Sequence, residues 1–484
     1  MAKLGSLLKD SVLYGLSSIV GRFLNYLLVP IHTRVLPVEE GGFGVVTNLY
    51  GYTALLLVLL TCGMETTYFY YANKGEYKHD TVFSTAIAFV GTLSVLFAGC
   101  VLLFLDPICS TLGYSDHPEY VWMMAVIVAL DALQALPFSM LRFQHRPIKF
   151  VSLKLLFIVL NVALNVFFYL VLDKNQVGYI FLINLIGTVL CTFGFFPELL
   201  KMKWHFDAKL FGQMLRYTWP LLVLGVVGIL NQTFDKIAFP LVYPDAAMAK
   251  SLLAEYGGCV KIAMIMAIIL QAFRYAYEPI VFSLGKEKGS KEFYAETMKY
   301  FVIFVLLAFL CVMAWIEVIQ RFVGEDYRAA IGVVPIVMAA EIMMGIFFNL
   351  SFWYKLIDKT IWGAWFSLAG CVALVAVNWF CIPLYGYWAC AWGGVAGYGV
   401  CMLLSYCVGQ KKNPIPYDMK RIGTYVTLAL ALYVCMEWMP LEGWMSLLAK
   451  SCLIFVYAGV FVALDMPKSF KQRVKSAIFG KRNG

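Results

Sequence analysis

SVLYGLSSIVGRFLNYLLVPIH, residues Ser11 to His32, is apolar except for Ser11, Gly15, Ser18, Arg22, Asn25 and His32. Those positions step by four, three, four, three and then seven residues, so an α-helix stacks them on one side. Such a helix is long enough to cross a bilayer. It carries Arg22 roughly 16 Å from its inner end, at about 1.5 Å rise per residue. An arginine at that depth costs about 2.5–3.5 kcal/mol by insertion scales, so it should face protein or water. The stripe reads as one wall of a polar cavity in a membrane bundle. Pro30 cannot donate to the Tyr26 carbonyl and should bend the outer third of this helix.

Working outward, the whole chain is 62% hydrophobic and 14% charged, with a mean hydropathy of +0.78. These values belong to a helical membrane protein. The net charge of +9 does not indicate a nucleic-acid partner, because the basic residues sit in short loops beside apolar spans. The 13 cysteines lie mostly within apolar segments without metal-ligand spacing and read as small hydrophobes. Lys3 and Lys9 precede an apolar run with no small-residue cleavage site, which reads as a retained first span.

Hydropathy places about fourteen transmembrane helices, near 11–34, 43–72, 82–105, 119–141, 150–172, 178–200, 213–239, 251–282, 293–323, 332–354, 361–382, 387–410, 422–439 and 445–464. The termini and alternate loops carry 25 lysines and arginines, against Lys174, Lys250 and Arg328 in the intervening loops. The positive-inside rule therefore expects both termini in the cytoplasm. The basic linker near Lys201–Lys209 separates six spans from eight. A second stripe, Leu221, Gly225, Gly228, Asn231 and Asp235, echoes the first. The fold expected is an all-α polytopic membrane protein with two six-helix lobes around a central cavity and two additional C-terminal helices. Residues 1–200 form the N-terminal lobe, 201–410 the C-terminal lobe, and 411–484 the last two spans with a basic cytoplasmic tail.

The opening of the chain also carries a family resemblance. Leu7-Leu8-Lys9-Asp10-Ser11, Gly21-Arg22-Phe23, Leu28-Val29-Pro30, Thr33-Arg34-Val35-Leu36-Pro37, Glu39-Glu40-Gly41-Gly42-Phe43-Gly44 and Gly63-Met64-Glu65-Thr66-Thr67 together resemble the start of the polysaccharide-biosynthesis flippases. Their superfamily also holds multidrug-and-toxin extruders and the peptidoglycan-precursor flippase. The Gly41-Gly42-Phe43-Gly44 run departs from the shorter acidic-tyrosine-glycine turn of relatives. The resemblance implies an inner-membrane protein that moves undecaprenyl-pyrophosphate-linked oligosaccharide to the outer leaflet. Its implied partners are that lipid-linked oligosaccharide, membrane lipids, and the polymerase and chain-length machinery that receive the product.

For such a substrate the buried polar residues have roles to fill. Arg22 and Lys261 lie near mid-membrane, and a pyrophosphate crossing hydrocarbon needs cationic partners. Asn25, Asn231, Gln271 and Arg274 complete the candidate substrate set, with Asn161, Asn165 and Gln232 as further donors to sugar hydroxyls. Asp131, Asp235 and Glu341 are candidates for coupling transport to protons or sodium ions, since an intramembrane carboxylate must be paired, bound to a cation or protonated. The competing reading pairs Arg22 or Lys261 with Asp131 or Glu341. Arg274 and Glu278, four residues apart, form an expected intrahelical pair. Arg34 and Lys154 lie near span ends and can snorkel. No phosphate-binding loop motif occurs, no metal site is expected, and no cofactor is expected beyond the coupling ion. Two other classes stay open: a cation-coupled exporter of organic cations, and a membrane-embedded glycosyltransferase or polymerase, for which the loops are short.

Overall fold

The structure, a computed structural model, describes residues 26–284, 290–355, 357 and 359–466. Fifteen principal helices follow in order: α1 (Val29–Val35), α2 (Gly42–Thr61), α3 (Met64–Lys74), α4 (His79–Leu103), α5 (Pro118–Phe143), α6 (Pro147–Val166), α7 (Gly178–Phe193), α8 (Ala208–Val242), α9 (Ala246–Leu284), α10 (Ser290–Ala314), α11 (Val334–Leu350), α12 (Ile361–Tyr385), α13 (Tyr387–Lys412), α14 (Met419–Glu437) and α15 (Gly443–Leu464). Among the described residues, twelve helical segments are long and apolar enough to cross a membrane. The first expected span lies largely outside the described residues, and α14, less apolar, matches the thirteenth. The fold is thus all-α and polytopic, with room for about fourteen spans.

Contacts gather the chain into two compact units. One comprises 1–261, 323–333 and 367–397; the other comprises 262–322, 334–366 and 398–484. Helix α9 passes from the first to the second at Lys261.

Within the first unit, Pro30 acts as expected. The helix is interrupted at Leu27–Leu28 and restarts with Pro30 in its first turn, where a missing N–H goes unneeded. The turn after α1 ends at Gly41, whose φ of 81° suits glycine alone. Tyr327 closes that turn: its hydroxyl donates to the Leu36 carbonyl at 2.9 Å and accepts from the Phe43 N–H at 3.1 Å. Gly324 N–H donates to Thr33 Oγ1 at 2.9 Å, and a Cβ on Gly324 would lie 1.8 Å from the Thr33 carbonyl oxygen. A Cβ on Gly44 would meet the Lys250 carbonyl oxygen at 2.3 Å, so α2 and α9 touch backbone to backbone.

Two expected spans are altered in detail. The second breaks at Cys62 and Gly63, both left-handed, and the Thr218 hydroxyl on α8 caps the freed Cys62 carbonyl. The ninth ends at Ala314. The chain then runs through short turns at Ile316–Ile319 and Gln320–Phe322 to a 3₁₀ segment, Glu325–Val333, that returns to the first unit. The expected span runs on to residue 323, past this break at Ala314.

In the second unit, α10 is packed by α11, α14 and α15. The last two helices leave Leu430, Leu448 and Phe455 on their outer faces. Ion pairs hold them at both ends: Lys450 to Glu317 at 2.7 Å, and Lys299 to Asp465 at 3.0 Å. Tyr425 OH donates to Asp465 at 2.8 Å.

Candidate functional site

A polar belt runs through the first unit. His32, buried on α1, donates from Nε2 to Asn165 Oδ1 at 2.7 Å. Asn165 in turn donates to the Asn161 carbonyl at 2.8 Å and to its Oδ1 at 3.1 Å. One turn apart on α6, these asparagines share a face, and a buried imidazole is affordable there because its polar edge is satisfied. His32 also lies edge-on to Tyr169, with ring centroids 5.5 Å apart, and near Phe43 at 6.2 Å. The Lys261 ammonium stands over the Phe43 ring, 5.7 Å from its centroid. Lys236, another cation, is close enough to Lys261 to interact with it. Among the described residues of this unit, no carboxylate forms an ion pair with Lys261.

The α8 stripe supplies the next part. Asp235 accepts from Lys236 Nζ at 3.0 Å and from the Tyr256 hydroxyl at 2.8 Å. Lys236 Nζ also donates to the Gln232 carbonyl at 2.8 Å. Asn48 donates to the Lys236 carbonyl at 2.7 Å and accepts from Tyr114 OH at 2.9 Å, which joins α2 to α8. Asn231 donates to the carbonyls of Val227 at 3.1 Å and Ser367 at 3.2 Å, tying α8 to α12.

Asp131, on α5, accepts one long hydrogen bond, 3.4 Å, from Thr188 OH on α7. Nearby, Gln134 donates to the Thr188 carbonyl at 3.0 Å and to Thr192 Oγ1 at 2.9 Å.

The candidate residues are therefore distributed. Asn231, Asp235, Lys261 and Asp131 lie in the first unit; Gln271, Arg274 and Glu341 lie in the second. Arg22 and Asn25 lie outside the described residues, as does the side chain of Glu278. In the second unit Gln271 donates to Tyr275 OH at 3.3 Å, and the Arg274 guanidinium stacks 4.2 Å from the Phe348 centroid. Glu341 is partly buried on α11. Arg34 is exposed, as a snorkelling arginine should be.

Sequence reading missed Lys236, Tyr256, Asn48 and the His32–Asn165 contact. Each is a polar residue within an apolar span, and that signal was present. Their pairing joins residues as far apart as 133 and 188 positions, which local periodicity does not encode.

A polytopic helical bundle with a lysine, a histidine and hydrogen-bonding asparagines in its interior has the build of a membrane transporter. The chain belongs to the family described as polysaccharide biosynthesis protein, whose model matches residues 7–284. The fold is shared with the lipid II flippase MurJ in its inward closed conformation, with a TM-score of 0.75 and 13% identity over 93% of this chain and 99% of that one. It is also similar to an inward-facing multidrug resistance MATE family transporter of the MOP superfamily, with a TM-score of 0.66 and 12% identity over 81% and 94%. No curated protein sequence matches this chain significantly.

Proposed function

We propose that this protein is a flippase that moves undecaprenyl-pyrophosphate-linked oligosaccharide repeat units across the bacterial cytoplasmic membrane, for assembly of a cell-surface polysaccharide. The observation that carries this reading is Lys261: a cation in the polar belt, set against an aromatic ring, with no carboxylate among the described residues of its unit pairing it. An ammonium so placed has its charge available to an anion, and phosphate oxygens are the anions such a lipid carries. Arg22 is the second cation of the proposed site, with Asn25 and Asn231 as further substrate contacts. The two expected lobes rock to give alternating access. The chain is a transporter and not an enzyme, both termini are cytoplasmic, and a polymerase takes up the exported unit.

Asp131 is the favoured ion-coupling residue. Its single long hydrogen bond leaves it less committed than Asp235, which Lys236 and Tyr256 already engage. The same Asp131 is the observation behind the second reading, a cation-coupled exporter of organic cations.

The two readings separate in cells. A deletion strain should accumulate lipid-linked repeat units in the inner leaflet, and re-expression should clear them. A strain that accumulates none, but becomes sensitive to lipophilic cations, has lost an organic-cation exporter instead.

A further inference from the structure

A cavity of about 510 Å³ opens in the first unit beside the loops before α2, α5 and α7 and the loop that leads into Lys250 on α9. Its volume lies within the roughly 300–1,000 Å³ of small-ligand sites. All four loops belong to the set poor in lysine and arginine, so the charge rule places this mouth on the outer face. The walls combine partly exposed rings, Trp122 and Tyr179, with the carboxylates of Glu40 and Glu119 and the amide of Gln176. The cavity floor is braced. Tyr120 stacks on His117 with centroids 4.7 Å apart and planes 9° apart, and His117 Nδ1 lies 2.9 Å from Glu119 Oε1. Tyr169 OH donates to the Gln176 carbonyl at 2.8 Å, which fixes the loop that presents the amide.

The one lysine of the lining is tethered. Lys250 Nζ is bonded to the Gly113 carbonyl and stands 4.6 Å from the Tyr114 centroid. With two carboxylates against one ammonium in the lining, the cavity disfavours an anion. Carboxylate and amide oxygens accept from vicinal hydroxyls, and ring faces suit the C–H face of a sugar. We infer that this cavity is a carbohydrate site: it takes the uncharged, hydroxyl-rich end of an oligosaccharide on the outer face. The identification of that sugar with the transported repeat unit rests on the flippase reading above.

The probe is the oligosaccharide released by mild acid from the producing cell's own polyprenyl-linked fraction, freed of lipid and pyrophosphate. It is titrated calorimetrically into the full-length protein in detergent. Binding should saturate at one site and weaken at least about tenfold in Glu119→Gln and in Gln176→Leu. Gln176 is exposed on its loop, so its substitution leaves the fold intact, and an unchanged Tm is the control. No saturable binding, equal binding by both variants, or displacement of the sugar by a tighter-binding tetraphenylphosphonium ion would overturn the inference. Absence of sugar binding, with accumulated repeat units in the deletion strain, removes this site and leaves the flippase reading standing. Sugar binding in a protein whose deletion accumulates nothing keeps the site and removes that reading.

Discussion

At the scale of single residues, the belt separates groups that hold the fold from groups that can act on a substrate. Asp235 is a holding residue. Replacing it with alanine leaves Lys236 and Tyr256 without their acceptor, and hydrogen bonds to charged groups contribute about 1.5–3 kcal/mol each. Asp235→Ala should therefore lower Tm and expression, while Tyr256→Phe should cost less. Lys261 differs, since removing it strands no carboxylate among the described residues of its unit. Lys261→Gln should fold normally and lose most export, and Lys261→Arg should retain part of it. Export of lipid-linked glycan, normalised to membrane protein level, checks both. A loss of stability in Lys261→Gln equal to that in Asp235→Ala would make Lys261 structural. The α8 stripe with Asn231 and Asp235 was legible from spacing alone. The partner Lys236 was not, because adjacent residues on a helix do not face each other. Its long side chain reaches back to both Asp235 and the Gln232 carbonyl.

At the scale of elements, the exit from the first helical hairpin depends on a distant segment. Tyr327 holds the Leu36 carbonyl and the Phe43 N–H together, so Tyr327→Phe should destabilise by about 1–3 kcal/mol, read as a lower Tm in detergent. Gly44→Leu should abolish folded protein, because its side chain would enter the α9 backbone. The Gly41-Gly42-Phe43-Gly44 run departed from the family turn. Its reasons are a left-handed cap at Gly41 and close helix packing at Gly44. Sequence marked the glycines but could not supply the surface they meet. The α14–α15 pair gives an element-scale pH dependence. Burial pushes the Asp465 carboxyl up, but hydrogen bonds from Lys299 and Tyr425 outweigh it and hold the carboxyl below its ordinary value. The Lys450 hydrogen bond likewise holds Glu317 low. Depressed carboxyls stabilise above the ordinary pKa of about 4, and that contribution is lost as pH falls through the lowered values. Opening of α14 and α15, read as amide exchange relative to its intrinsic rate at each pH, should thus hold steady from neutral pH to about 5 and rise on further acidification. A double variant, Lys299→Ala with Lys450→Ala, should remove that rise.

At the scale of the molecule, membrane class, the all-α polytopic fold and family were legible in composition, apolar run length and the opening motifs. The fold agrees because a bilayer forces every buried backbone group into helix hydrogen bonds, which leaves few alternatives. The grouping of helices into units was beyond sequence reading. The 3₁₀ segment Glu325–Val333 packs with residues nearly 300 positions earlier, and no linker composition marks that return. The central claim is that the protein carries a pyrophosphate-linked glycan across the membrane. Its most direct test reconstitutes the purified protein in vesicles loaded with polyprenyl-pyrophosphate oligosaccharide from the producing cell, then oxidises the exposed sugar with periodate that cannot enter. Oxidation should reach the whole glycan pool in vesicles holding the protein and stop at the outer-leaflet pool with Lys261→Gln. Oxidation that stops at the outer-leaflet pool with the wild-type protein, as in protein-free vesicles, would contradict the account.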